Sequence, residues 1–143
     1  MQFSKNNSYR KFFTERYKIP DDVMEYYDFY QRGRSVWAFS GELLEENAEI
    51  VGIRALRIGK SLKPTTAFLR IVGKYATKNA ATLDDVSSLK FLRGEDVVYK
   101  DKELDIGYVI VKSSRDILGC GYYTGKKIIS EIPKKYRLQD TWI

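Results

Sequence analysis

Arg54, Arg57, Lys60 and Lys63 recur every three residues, and Arg70 and Lys74 follow one helical turn apart. A second basic set, Lys126, Lys127, Lys134, Lys135 and Arg137, comes later in the sequence. Arginine and lysine neutralise phosphate oxygens, and nearby tyrosines such as Tyr122 and Tyr123 offer ring faces on which unpaired bases stack. The chemistry these types suggest is recognition of a polyanion, with no bond made or broken. Tyrosines also build the cores of small β domains, and with 11 of them in the sequence any single one favours that use.

The residues that catalysis would need are missing. There is no histidine, which excludes a Ser/His/Asp triad, a Cys/His pair, an HExxH zinc site and a histidine proton shuttle. The single cysteine, Cys120, can form neither an intramolecular disulfide nor a CxxC pair, and in an apolar run it reads as a small buried hydrophobe. Gly59-Lys60-Ser61 has the ending of a phosphate-binding loop, but Arg54 stands where the first glycine belongs. Gly119, Gly121 and Gly125 have the spacing GxGxxxG, without a helix after them, so a dinucleotide site fails as well. The carboxylate pairs Asp21/Asp22, Asp84/Asp85 and Glu95/Asp96 sit at expected element ends, where helix dipoles and turns account for them. No catalytic residue, metal site or cofactor is expected.

The 143 residues are about one domain's worth, 43% hydrophobic and 31% charged, which is globular composition. Lys plus Arg exceed Asp plus Glu by 25 to 19, a net charge of +6. That surplus is distributed in blocks: residues 19–49 hold eight acids and two bases, whereas residues 50–83 hold seven bases and no acid. An acid-free stretch of that length reads as a binding surface more than as a solvated face. The opening residues MQFSKNNSYRKFFTERYK lack the apolar run of a secretory signal, and no run is apolar enough to span a membrane. A soluble protein in a reducing, cytoplasmic compartment is the expectation.

The elements that must position these residues follow from periodicity. Ser8 is a candidate N-cap for a helix carrying Tyr9, Phe12, Phe13 and Tyr17 on one stripe, and a second helix is expected from Pro20 to Gln31. Strands are expected at Ser35–Ser40, Glu49–Ile58, Asp96–Tyr99, Gly107–Ser113, Ile117–Tyr122 and Lys127–Ile132. Between them lie helices at Thr65–Ala76 and at Thr82–Leu92, the latter with a Thr-x-x-Asp start. Short strands with few helical crossings predict an α+β fold with a small, mostly antiparallel barrel or half-open sheet.

In sequence order, the run from Gly52 to Lys63 (GIRALRIGKSLK), the helix after Pro64, Phe91–Glu95 (FLRGE), Gly107–Val111 (GYVIV), Leu118–Gly121 (LGCG) and Ile132–Lys135 (IPKK) form a recognisable pattern. It resembles the C-terminal PUA-like domain of the nucleolar-protein/Sun-type (Fmu-like) RNA 5-methylcytosine methyltransferases, and stand-alone archaeal relatives assigned to ribosome biogenesis. The resemblance covers roughly Arg34 to Arg137. It implies a PUA-like mixed β pseudo-barrel with two flanking helices over residues 34–143, preceded by a helical N-terminal extension over residues 1–33. It further implies binding of structured RNA, ribosomal or transfer, without catalysis, because the family's chemistry belongs to a separate domain with two cysteines. Matching positions carry the family's RNA contacts over to Arg54, Arg57, Gly59, Lys60, Lys63, Gly119, Lys134 and Lys135. The sequence departs from the pattern after Leu118-Gly119, where Cys120 replaces the usual aromatic residue. The resulting expectation is an RNA-binding protein of rRNA or tRNA maturation, with Arg70, Lys74, Tyr122, Lys126 and Lys127 completing its surface. The alternative is an interaction subunit serving an RNA methyltransferase or a ribosomal protein, motivated by the acidic residues 19–49 and by Trp142-Ile143.

Overall fold

The computed structural model describes residues 3–40 and 52–139, and the chain divides into two compact units, Met1–Thr77 and Lys78–Ile143. Trp142, Ile143 and the glutamates at 42, 45, 46 and 49 lie outside the described residues. Each unit is α+β and built on a five-stranded sheet.

In the first unit, β1 (Ser4–Lys5) leads into a 3-10 turn and then α1 (Arg10–Arg16). Asn6, rather than Ser8, caps the turn, its side-chain oxygen accepting from the Ser8 N–H at 3.1 Å. Phe13 and Tyr17 of the aromatic stripe are fully buried. Pro20 opens α2 (Asp21–Glu25), with Asp21 and Asp22 in its first turn where the helix dipole favours acids.

The helix expected to reach Gln31 stops at Glu25, and Tyr27–Arg32 is a strand, β2. Tyr27, Phe29 and Gln31 alternate with Asp28, Tyr30 and Arg32, and this period of two wins because the next strand offers a full partner. Gly33, at φ 61°, makes the turn into β3 (Ser35–Ser40), and the register runs from Tyr27↔Ser40 to Arg32↔Ser35. The junction expected at residues 33/34 therefore falls in the tight turn of a hairpin, and residues 1–33 contribute two strands as well as helices.

β4 (Ile53–Ile58) and β5 (Leu62–Pro64) complete the sheet, antiparallel throughout, in the order β1-β2-β3-β4-β5. Thr65 then caps α3 (Thr66–Val72), accepting from the Phe68 N–H at 3.1 Å. The helices cover one face of the sheet. Phe13 lies with its ring centre 5.1 Å from that of Phe68 and 6.1 Å from that of Phe29, and Met24, Leu56 and Leu69 close the same core.

The second unit begins with β6 (Ala80–Thr82), α4 (Asp85–Leu92) and β7 (Val97–Val98), followed by β8 (Gly107–Lys112), β9 (Ile117–Tyr123) and β10 (Lys127–Ser130). Its sheet has the order β6-β8-β9-β10-β7. Among the described residues only the β6–β8 pair is parallel, an arrangement that requires the long crossover through α4 and β7. Asn79 adopts the left-handed φ of 55° just before β6, and its buried side chain donates to the Asp105 carboxylate at 3.1 Å and accepts from the Asp105 N–H at 2.8 Å. Thr82 belongs to β6, so the cap of α4 is Asp84, which accepts from the Ser87 N–H at 2.7 Å. Phe91 reaches from α4 into a core of Val109, Val111, Leu118, Tyr123 and Ile128. Val86 and Leu89, apolar at helical spacing, stay exposed on the far side of the helix.

Candidate nucleic-acid interface

The first sheet has a second face that the helices do not cover. Phe29, Val36 and Leu56 point to the core, so by alternation Tyr30, Trp37 and Arg57 point away from it. Arg54 and Arg57 are three apart, a spacing that sends two residues of a regular strand to opposite faces. A register shift between Val36 and Trp37 resolves this: Leu56 pairs with Val36 and Arg54 with Trp37, leaving Ala55 as the extra residue. The bulge turns both arginines to the outer face, where Arg57 is flanked by Ser35 of β3 and Lys63 of β5.

Aromatic rings share that face. Tyr30 pairs with Trp37, and Phe3 meets Trp37 edge-on with ring centres 6.4 Å apart. The Arg54 guanidinium lies 6.0 Å from the Trp37 ring centre, and that of Arg32 lies 5.4 Å from the Phe3 ring centre. Among the described strand residues the one acid on this face is Asp28, which is 3.7 Å from Lys5 Nζ and 3.1 Å from an Arg10 nitrogen. Its charge is thus matched locally.

Gly59 and Lys60 occupy the exposed β4–β5 turn, where the Gly59 N–H donates to the Ser61 carbonyl at 3.2 Å. The Ile58 N–H donates to the Arg34 carbonyl at 2.7 Å, which brings the β2–β3 turn and its exposed Arg34 beside them. Arg70 and Lys74 are exposed too, but on the side of α3, beyond the opposite face of the sheet. Lys74 Nζ lies 5.1 Å from the Tyr75 ring centre, near Tyr26 and Tyr27. Burial, and then the neighbouring Tyr26 and Tyr75, raise the Tyr27 phenol above its ordinary pKa. The structure joins Arg54, Arg57, Lys60 and Lys63 and separates them from Arg70 and Lys74. Arg32, Arg34, Trp37, Tyr30 and Phe3 escaped the sequence reading: the helix assigned through Gln31 concealed the strand that carries Tyr30, and only pairing between strands sets Trp37 and Phe3 beside it.

In the second unit the predicted residues scatter. Gly119 is buried in β9 opposite Val111 and presents no surface. Tyr122 is half-buried on β9, edge-on to Tyr108 with ring centres 5.1 Å apart, while Tyr123 is a core residue whose hydroxyl accepts from the Asp101 N–H at 3.0 Å. Lys126 is exposed in the β9–β10 turn, and Lys127 beside it pairs with Asp96 at 2.9 Å. Lys134 and Lys135 are exposed in a 3-10 turn beyond the other end of β10, with Lys135 Nζ 5.0 Å from the Tyr136 ring centre.

Groups that might have carried chemistry have structural partners instead. Cys120 is buried on β9, as a small hydrophobe would be. Asp84 caps α4, Asp21 and Asp22 open α2, and Asp96 pairs with Lys127. Among the described residues no group of three or more His, Cys, Asp or Glu is placed to hold a metal ion, and no helix is long and apolar enough to cross a membrane.

Residues 78–138 match the family model of the methyltransferase RsmF PUA domain. The match begins where the second compact unit begins, so it is that unit that resembles the PUA domain of the Sun-type methyltransferases. It covers the PUA domain and no methyltransferase catalytic domain. Gly119, Lys134 and Lys135 lie within it, whereas Arg54, Arg57, Gly59, Lys60 and Lys63 lie outside. A PUA domain points to RNA as the ligand. No curated protein matches the chain.

Proposed function

We infer that this chain is a non-catalytic, cytoplasmic RNA-binding protein that acts in rRNA or tRNA maturation. The observation that carries the reading is the match of residues 78–138 to the RsmF PUA domain. The outer face of the first sheet supports it independently, since it carries Arg54 and Arg57 together and the one acid among its described strand residues, Asp28, is matched by Lys5 and Arg10. Lysine and arginine contacts to phosphates supply affinity and register, and the shape of the RNA with a few unpaired bases supplies selectivity. A methyltransferase or a ribosomal protein is the partner this role would serve.

The test is fluorescence anisotropy of labelled tRNA and of a ribosomal RNA fragment, against a DNA duplex of equal length, at two salt concentrations. The expected result is preference for RNA, steep loss of affinity from about 50 to 200 mM salt, and a log–log slope reduced by about one in Lys60→Ala. Equal binding to RNA and DNA, or no binding to either, would overturn the reading and shift it to a protein-interaction role.

A further inference from the structure

We propose that the outer face of the first unit's sheet is a binding site for single-stranded RNA, a second site distinct in chemistry from the PUA-like unit. The inference rests on the RNA-binding reading above but concerns residues that lie outside the family match. Three observations carry it. Tyr30, Trp37 and Arg54 are consecutive cross-strand neighbours on β2, β3 and β4, so two rings and a cation form one row across the sheet. Trp37 and Tyr30 are half-buried and Phe3 is 38% exposed, whereas Phe39 on the same face is buried beneath Phe3 and Tyr30, so the accessible part of the face is the Tyr30–Trp37 row and its Phe3 edge. Among the described residues, cations border the row, Arg32 at the Phe3 end and Arg54 and Arg57 at the other, while Asp28 is matched by Lys5 and Arg10.

A row of rings bordered by cations suits a flexible strand of nucleotides better than a helix. Each base has a π-face that stacks on an aromatic ring, and its phosphates meet the bordering arginines. A duplex buries those base faces against one another and offers only its phosphates. The present partner of Trp37 is the Arg54 guanidinium. A base that takes its place on the ring frees that guanidinium for the adjacent phosphate, so a single displacement forms both contacts. The bulge at Ala55 is what makes this possible, because without it Arg54 and Arg57 would not share a face.

The sequence holds two tryptophans, Trp37 and Trp142, so the full chain carrying Trp142→Phe reports on Trp37 alone. Its emission is followed during titration with a 12-nucleotide oligouridylate and with an RNA hairpin of the same charge. Saturable quenching by the oligouridylate, weaker quenching by the hairpin, and about tenfold weaker oligouridylate binding in Tyr30→Leu or Arg54→Gln support the site. Thermal melting of each variant verifies that it is folded. Oligouridylate binding without quenching, or with unchanged affinity in both variants, overturns this site while leaving the RNA-binding reading intact. Failure of both this strand and the tRNA and ribosomal RNA fragments to bind overturns both readings. Concentration-dependent change in Trp37 emission without RNA assigns the face to a second copy of the chain and overturns the site.

Discussion

Arg57 on β4 stands directly opposite Lys63 on β5. A phosphate that meets the sheet at this pair is attracted by both side chains. Arg57 is exposed, so Arg57→Thr is expected to weaken RNA binding and reduce the log–log salt slope by about one while leaving the melting temperature of the free protein nearly unchanged. Anisotropy at two salt concentrations and melts of the free protein measure both effects. A variant that loses stability and keeps its affinity would show that the pair serves the fold instead.

Arg70 and Lys74 provide the matching control. They belong to the helical side of the first unit, behind the sheet that carries Arg54 and Arg57. Arg70→Ala with Lys74→Ala is expected to leave oligouridylate binding at the sheet face within about twofold, although it removes as much charge as the Arg54→Ala, Arg57→Ala pair. Equal loss from both pairs, read by anisotropy at one salt concentration, would mean that net charge rather than placement governs binding.

Much of this arrangement was legible in the sequence, and the exceptions have physical causes. The strand Ser35–Ser40 and the start of α3 after Pro64 were readable because local periodicity and capping chemistry decide them, although the sequence left Thr65 and Thr66 as alternative caps. Tyr27–Arg32 was not, since aromatic residues there satisfy a helical and a strand period alike and only pairing with β3 chooses between them. Ala80–Thr82 is too short to carry a period, and its parallel partner β8 lies about thirty residues away, so nothing local marks it. The spacing of three from Arg54 to Lys63 was visible as a pattern, but the bulge that gives it a common face exists only in the paired sheet. Gly119, by contrast, was carried over by motif alone, and burial removes it from any surface.

Gly121 tests the packing beneath the PUA-like unit. A β-carbon at that position would lie 2.5 Å from Ile128 Cγ2, 2.9 Å from Val111 Cγ2 and 3.2 Å from Phe91 Cε2. Phe91 is how α4 docks on the sheet, so the contacts cannot open without moving the helix. Gly121→Ala is expected to destabilise the protein by about 1–3 kcal/mol in denaturant unfolding, the usual cost of overfilling a packed core. Gly121 is thus a spacer under a helix, and a neutral outcome would refute that role.

The acid limit of stability has an identifiable contributor at the start of α4. Hydrogen bonding from the Ser87 N–H, then from its hydroxyl, lowers the pKa of Asp84 below its ordinary 3.8. A carboxylate whose pKa is lower when folded contributes stability that is fully present above its unfolded value, and loses it as pH falls through the folded one. Asp84→Asn keeps a neutral acceptor at the cap and removes the titration, so the melting-temperature gap between the two proteins is expected to be widest near pH 7. The gap should narrow once pH drops below 3.8, where the wild-type carboxylate begins to take up its proton. Melting curves followed by circular dichroism from about pH 7 to pH 2 provide the measurement. A gap that stays constant over that range would place the role of Asp84 in the geometry of the cap alone, with no contribution from its charge.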